Sequence, residues 1–299
     1  MNQVNPVALS GTHGDRTIAW RRIADVAFQA IALLVLLIAL ACLGALIFDI
    51  VSDGAGRLSW DFITSFSSRR ASQAGIWSAL VGSIFIIAVT AVLAVPVGVA
   101  AAIYLEEYGG RSVVARIIEL NITNLAAVPS IIYGLLGLGL FVRMMGMGRS
   151  VLAGASTLAL LVLPVVILST REALRGVPGS LREGSYALGA TKWQTIWYQV
   201  LPVAAPGILT GLILALSRAI GETAPLIIAG AVTFATFAPD SIWSAFTVLP
   251  IQIFNWVSRP QVDFHANAAA GIIVLVLLLL SMNATAIWLR DRYQKKGAA

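Results

Sequence analysis

The stretch SRAIGETAPL, Ser217 to Leu226, lies inside a run from Val203 to Phe237 that contains no other charged residue. A bilayer core about 30 Å thick is crossed by about 20 apolar residues in a helix, so this run is long enough to span with tilt. Insertion scales put the cost of an ionised group at the bilayer centre at about 2.5–3.5 kcal/mol. Yet Arg218 and Glu222 stand near the middle of the run, four positions apart, followed by Pro225. On a helix they share one face and partly neutralise each other. Pro225 has no N–H to donate to the carbonyl of Gly221, and a glycine at that point loosens the helix further. A weak point is thus expected beside the charges, and broken membrane helices commonly line substrate paths.

The rest of the chain has the same solvent preference. It has 299 residues, of which 59% are hydrophobic and 11% charged, and its mean hydropathy is +0.88. Soluble domains carry roughly 25% charged residues, so most of this chain requires a solvent other than water. Apolar runs long enough to span occur at Ile23–Val51, Trp77–Leu105, Ala126–Met144, Val151–Thr170, Val203–Phe237 and Ala268–Leu289. They are continuous rather than alternating, which favours helices over barrel strands. The expected fold is all-α and polytopic, with six transmembrane helices. Residues 1–22 form a polar tail, 23–51 the first span, 77–289 a membrane core that includes a loop at 178–202, and 290–299 a second tail.

With the N-terminus placed inside, thirteen of the twenty Lys and Arg residues fall on inside segments. Six lie outside or at outer span ends, and Arg218 lies in a span. The positive-inside rule then puts both termini in the cytoplasm. Topology accounts for the net charge of +6, so nucleic acid is not needed as a partner. Cys42, the single cysteine, sits in an apolar run and reads as a small buried residue. The first span is too long for a cleaved signal core. Between spans two and three, a segment from Ser112 has apolar residues at helical spacing and reads as a surface helix leading into span three. Gly134, Gly137 and Gly139 along span three are read as sites of close helix approach. In the outer loops, Trp60, Phe62, Phe66 and Trp256 are available for an interface or for the headgroup layer.

The longest inside loop reads REALRGVPGSLREGSYALGATKWQTIWYQVLP, Arg171 to Pro202. Ser180 and Glu183 have capping-box spacing, Gly189 is a natural helix stop, and Thr191 and Gln194 repeat the box. Pro202 is expected to close the second helix. Gly184 and Gly189 have the first spacing of a phosphate loop, but Ala190 stands where a lysine would be needed and no strand precedes them. No ATP site is found in the chain.

This loop resembles the EAA coupling loop of ABC-importer permeases at Glu183, Gly184, Ser185, Gly189, Leu201 and Pro202. It departs from that pattern in having Gly184 and Ser185 for two alanines and Gln199 for an isoleucine. SRAIGETAPL, NLAAVPSIIYGL (Asn124–Leu135) and LPIQIFNWVSRPQ (Leu249–Gln261) resemble the PstA-type permeases of phosphate ABC importers. The resemblance covers about Trp77 to Trp288 and is specific in the second half. It implies a type I importer permease that is not itself an enzyme and holds no cofactor, ATP being bound by partner subunits. The implied partners are a second, PstC-type permease, a dimer of ATP-binding subunits and an extracytoplasmic phosphate-binding protein. Glu183, Gly189, Leu201 and Pro202 would meet the ATPase. Arg218, Glu222, Ser217 and Thr223 would line the translocation path at a helix break made by Gly221 and Pro225.

Two uses of Arg218 stay open on sequence. It is half of an ion pair that locks neighbouring helices, or it faces a polar path where its planar fork meets a tetrahedral oxyanion while Glu222 keeps that contact weak. A permease for sulfate or phosphonate is the nearest rival function. A proton-coupled carrier would usually want several intramembrane carboxylates or histidines, whereas only Glu222 lies deep. A membrane enzyme finds no support in H-E-x-x-H, G-x-S-x-G or a Cys–His cluster.

Overall fold

The computed structural model describes residues 12–110 and 112–297, which contain helices and connecting turns but no strand. Residues 1–11, Arg111 and the last two alanines, parts of the expected tails and of the inside charge count, lie outside the described residues. The chain forms two compact units, Met1–Ser52 and Asp53–Ala299. The first is made by α1 (Thr12–Gly54), which begins well before the apolar run and carries it through unbroken.

The second unit holds the core. Ser59 caps the short outer helix α2 (Trp60–Thr64), its hydroxyl accepting from the Phe62 N–H. The long α3 (Trp77–Ile103) ends in one wide turn, Tyr104–Tyr108, and the chain reverses at Gly109-Gly110, where Gly110 takes φ +53°. The helix α4 (Val113–Ala126) follows. The third span does not run straight out of it. At Ala127–Pro129 the chain bends by 102° into α5 (Ser130–Gly137), extended by a wide turn to Met144. Pro129 enforces the break, because it cannot donate within a continuing helix and disfavours helical backbone in the residue before it.

Helix α6 (Val151–Arg175) is the hub, and among the described spans it is the most deeply buried. It packs along α3 on one side, with Gly98 against Val166, and along α9 (Leu201–Gly221) on the other, with Gly211 against Ser169. Missing side chains at these crossings let the backbones approach without the hydrophobic drive that water supplies. Between α6 and α9 lie α7 (Gly179–Ala187) and α8 (Lys192–Thr195), and after α9 come α10 (Ala224–Ala229), α11 (Leu249–Val257) and α12 (Asp263–Gly297).

Three local expectations are corrected. Ser180 caps nothing: α7 starts at Gly179 behind Pro178, whose carbonyl accepts from Leu181, so Ser180 lies inside the first turn. Pro202 does not end the helix after Thr191. A wide turn at Ile196–Val200 connects α8 to α9, with the Leu201 N–H reaching back to the Ile196 carbonyl. That turn absorbs the register change at Pro202, which sits in the first turn of α9, where a missing N–H costs little. The run Val203–Phe237 is not one span, since the helix that begins at Lys192 ends at Gly221.

The outer aromatics divide. Trp60 and Phe66 are exposed, but Phe62 and Trp256 are buried with ring centroids 5.9 Å apart. The Arg57 guanidinium lies 5.3 Å from the Phe62 ring and donates to Asn267 Oδ1 and to the carbonyls of Ala71, Ser72 and Ala74. Phe62 and Trp256 thus hold the outer layer together and are not a docking surface. Of the three glycines of span three, Gly134 packs against Pro225 and Gly137 against Thr157, while Gly139 meets nothing.

Candidate functional site

Helix α9 ends one turn after Arg218. Glu222 takes an extended conformation (φ −77°, ψ 110°), and α10 begins at Ala224 with Pro225 in its first turn. The two charges suit this interruption. Arg218 lies in the last turn of α9, where unpaired carbonyls favour a cation, and Glu222 lies just ahead of α10, where unpaired N–H groups favour an anion. The break is held from behind by α5. A methyl group on Gly134 would sit 2.8 Å from Pro225 Cα, so only glycine lets α5 press against α10 there.

The flanking residues Ala219, Ile220 and Leu226 are buried in the core with Ile86, Ile87 and Leu158. Arg218 points the other way. It is 59% exposed and continues a face on which Val203, Gly207, Leu214 and Gly221 are also exposed. No other charge stands on that face. Glu222 engages it at 3.4 Å through Nε, and the two terminal nitrogens donate to no other described residue. An ion pair that locked helices together would need a partner on another helix; Glu222 comes from the same break. One 3.4 Å contact between two residues of the same break ties no second helix in place.

The other two residues expected here separate. Thr223 stays at the break, its hydroxyl 3.4 Å from the Gly221 carbonyl. Ser217 turns away, its hydroxyl within hydrogen-bond distance of both the Ile213 carbonyl and the Asn283 side chain of α12, so it binds helices together rather than lining the face of Arg218.

The segment Gly179–Val200, expected on the inside, forms a second site. Gly189 stops α7 with φ +82°, a value that disfavours any side chain, and its N–H donates to the Tyr186 carbonyl while that of Ala190 donates to Ser185. The Thr191–Gln194 capping box is complete. Ser185 and Thr195 share a hydrogen bond of 2.9 Å that fixes α7 against α8. Leu181, Gly184, Ser185, Leu188, Gln194 and Tyr198 line an open groove between them. Leu188 is 91% exposed, and Trp193 and Trp197 stack with centroids 5.7 Å apart while both remain exposed. Such a concentration of exposed apolar and aromatic groups marks an interaction surface, for a protein or for the membrane. Glu183 and Gly189 lie on this surface. Leu201 instead packs inward with Leu174, Val177 and Val200, and Pro202 belongs to the start of α9.

Beside it lies a charge cluster that local spacing does not reveal. Arg171, 7% exposed, meets Glu106 at 3.3 Å and Glu119 at 3.0 Å. Arg175 meets the same two carboxylates at 3.0 and 3.5 Å. Arg182 of α7 meets Glu107 at 2.8 Å and donates to the carbonyls of Leu174 and Val177 at the end of α6. No group of three or more His, Cys, Asp or Glu side chains able to hold a metal occurs among the described residues.

Residues 94–296, which include the break and the inner segment, match the family model described as binding-protein-dependent transport system inner membrane component. The chain belongs to this family. The permease subunit is 34% identical over 262 residues to the probable ABC transporter permease protein YqgI of Bacillus subtilis, covering 84% of this chain and 89% of that one. It is 34% identical over 264 residues to the phosphate transport system permease protein PstA of Haemophilus influenzae, covering 88% and 93%. Its fold is similar to a chain of a bacterial ABC transporter involved in the import of the acidic polysaccharide alginate, with TM-score 0.65, 16% identity and coverage of 92% and 98%. It is also similar to a chain of the MetNI methionine ABC transporter in an inward facing conformation, with TM-score 0.59, 18% identity and coverage of 73% and 97%. The permease subunit is therefore a multi-pass inner-membrane component of a binding-protein-dependent transporter.

Proposed function

We propose that this chain is the PstA-type permease subunit of an ATP-driven importer of inorganic phosphate. The fold alone does not choose the substrate, since similar folds occur in transporters of methionine and of an acidic polysaccharide. The choice rests on the site. Arg218 is a single exposed guanidinium at a helix break, on a face with no other charge, its terminal nitrogens without a protein partner among the described residues. A planar fork with free donors suits a tetrahedral oxyanion. Glu222, engaging Nε, competes for the cation and keeps the anion from being trapped. Relatives named as phosphate permeases, 32–39% identical, support phosphate as that oxyanion.

In this reading the exposed face of α9 borders a second, PstC-type permease, and the passage runs between the two subunits. The surface around Glu183, Gly189 and Leu188 docks on a dimer of ATP-hydrolysing subunits, and both termini lie in the cytoplasm. An extracytoplasmic phosphate-binding protein delivers the substrate to the outer face.

The test is uptake of labelled phosphate by the complete transporter carrying Arg218→Gln. Uptake is expected to vanish while insertion and co-purification of the subunits persist. Normal phosphate uptake by this variant removes the proposed role of Arg218. Competition of wild-type uptake by sulfate at equal concentration moves the substrate to another oxyanion.

A further inference from the structure

The wide turn that ends α3 touches both limbs of the inner segment through adjacent residues. Glu107 reaches Arg182 of α7, and the Tyr108 ring lies 4.7 Å from Lys192 Nζ of α8. Glu106, one residue earlier, faces Arg171 and Arg175 of α6 instead. Three consecutive residues of this turn thus face α6, α7 and α8, and the turn is closed by the Gly109 N–H on the Tyr104 carbonyl at 2.8 Å.

Arg182 is the centre of this junction. Its guanidinium is only 20% exposed, and the Glu107 side chain 7%. The fork uses Nε and Nη2 on Glu107, Nη1 on the Val177 carbonyl and Nη2 on the Leu174 carbonyl. It therefore fastens α7 to the inner ends of both α3 and α6. Those two helices are close-packed, Gly98 against Val166, and α6 is close-packed on α9 through Gly207 on Ala173 and Gly211 on Ser169. Dense packing carries displacement instead of absorbing it.

We propose that Glu107 and Arg182 are positioning residues for energy coupling. They make α7–α8 and the inner end of α3 one rigid body, so that movement of the docked segment is delivered through α3 and α6 to the break at Glu222. This rests on the assignment of α7–α8 as the ATPase-docking surface. The claim is distinct from docking: both side chains face into the permease, away from the exposed groove of Leu188 and Tyr198.

The experiment uses the whole transporter, reconstituted in proteoliposomes with its binding protein. The variants are Glu107→Arg, Arg182→Glu, the exchanged pair, and the milder Glu107→Gln. Three quantities are read: retention of the ATP-hydrolysing subunit, its rate of hydrolysis, and phosphate moved per ATP. Each single reversal is expected to keep the ATPase subunit and its hydrolysis but to move about tenfold less phosphate per ATP, in the range of coupling free energies between sites. The exchanged pair restores the ratio to within about threefold, as interacting neighbours do in a double-mutant cycle. If a reversal does not assemble, Glu107→Gln decides by the same ratio. An unchanged ratio in the single variants, or an exchanged pair as impaired as the singles, overturns the proposal. Leu188→Asp in the same preparations addresses the docking assignment separately. Loss of the ATPase subunit supports that assignment, and full retention overturns it together with the coupling role built on it.

Discussion

The two charged regions of this permease use the same residue types in opposite ways. Around Arg171, three arginines and three glutamates from α4, α6, α7 and the turn after α3 engage one another, several with two or more contacts, and Arg171 and Glu107 are nearly buried. At the helix break, one arginine and one glutamate meet through one long contact on an exposed face. In the first arrangement every guanidinium is held by at least one carboxylate of another segment. The second leaves Arg218 with donors to offer. The comparison shows why a charge is costly to keep in such a chain: it is either consumed in holding helices together or held ready for something that passes.

The sharpest way to break this comparison is to remove one arginine from each region and measure both properties. Arg218→Gln should abolish phosphate uptake, more than about a hundredfold, while shifting the unfolding temperature of the purified complex little, because the guanidinium makes a single 3.4 Å contact and ties no second helix. Arg171→Gln should do the reverse in kind. It leaves Glu106 and Glu119 with Arg175 alone and takes away the one guanidinium of the cluster that is 7% exposed, so the loss should fall below the about 3–5 kcal/mol of a fully buried pair yet show as poorer accumulation in the membrane and a lowered unfolding midpoint. Equal thermal shifts for the two variants would erase the distinction.

Smaller effects sharpen it. Gly134→Val forces a side chain into the Pro225 backbone and should cost about 1–3 kcal/mol of overpacking, with uptake falling as α10 is pushed out of place. Uptake at the wild-type rate would show that α5 does not hold the break. Thr191→Ala removes one half of the capping box at the start of α8 and should cost about 1 kcal/mol, detected as faster amide exchange at Trp193–Thr195 with uptake nearly unchanged.

Much of this was legible in the residues because it depends on neighbours in sequence. Apolar length located the spans, the Gly221–Pro225 spacing lay where α9 gives way to α10, and Gly189 and the Thr191 box shaped the inner segment as expected. Ser180 was misread as a cap because Pro178, with its fixed φ, starts the helix first. Pro202 was misread as a stop because the wide turn before it, stabilised by burial of Ile196 and Val200, carries the helix past. The surface helix expected from Ser112 is there as α4, and the 102° bend that follows it at Ala127–Pro129 was not foreseen. The aromatic pair Phe62 and Trp256 looked like surface because residues so far apart in the chain give no local sign that they will bury each other.

The sequence by itself determined that this chain lives in a bilayer, where its helices run, that a helix weakens beside Arg218 and Glu222, and which family it resembles. Those properties follow from transfer free energy and backbone chemistry, which act residue by residue. Only the tertiary structure decided that Arg218 faces outward while Ser217 turns to α12, and that Arg182 fastens the inner segment to α3 and α6. Those outcomes depend on which helix faces arrive together across 66 and 75 residues of chain, and close packing settles that for all the helices at once.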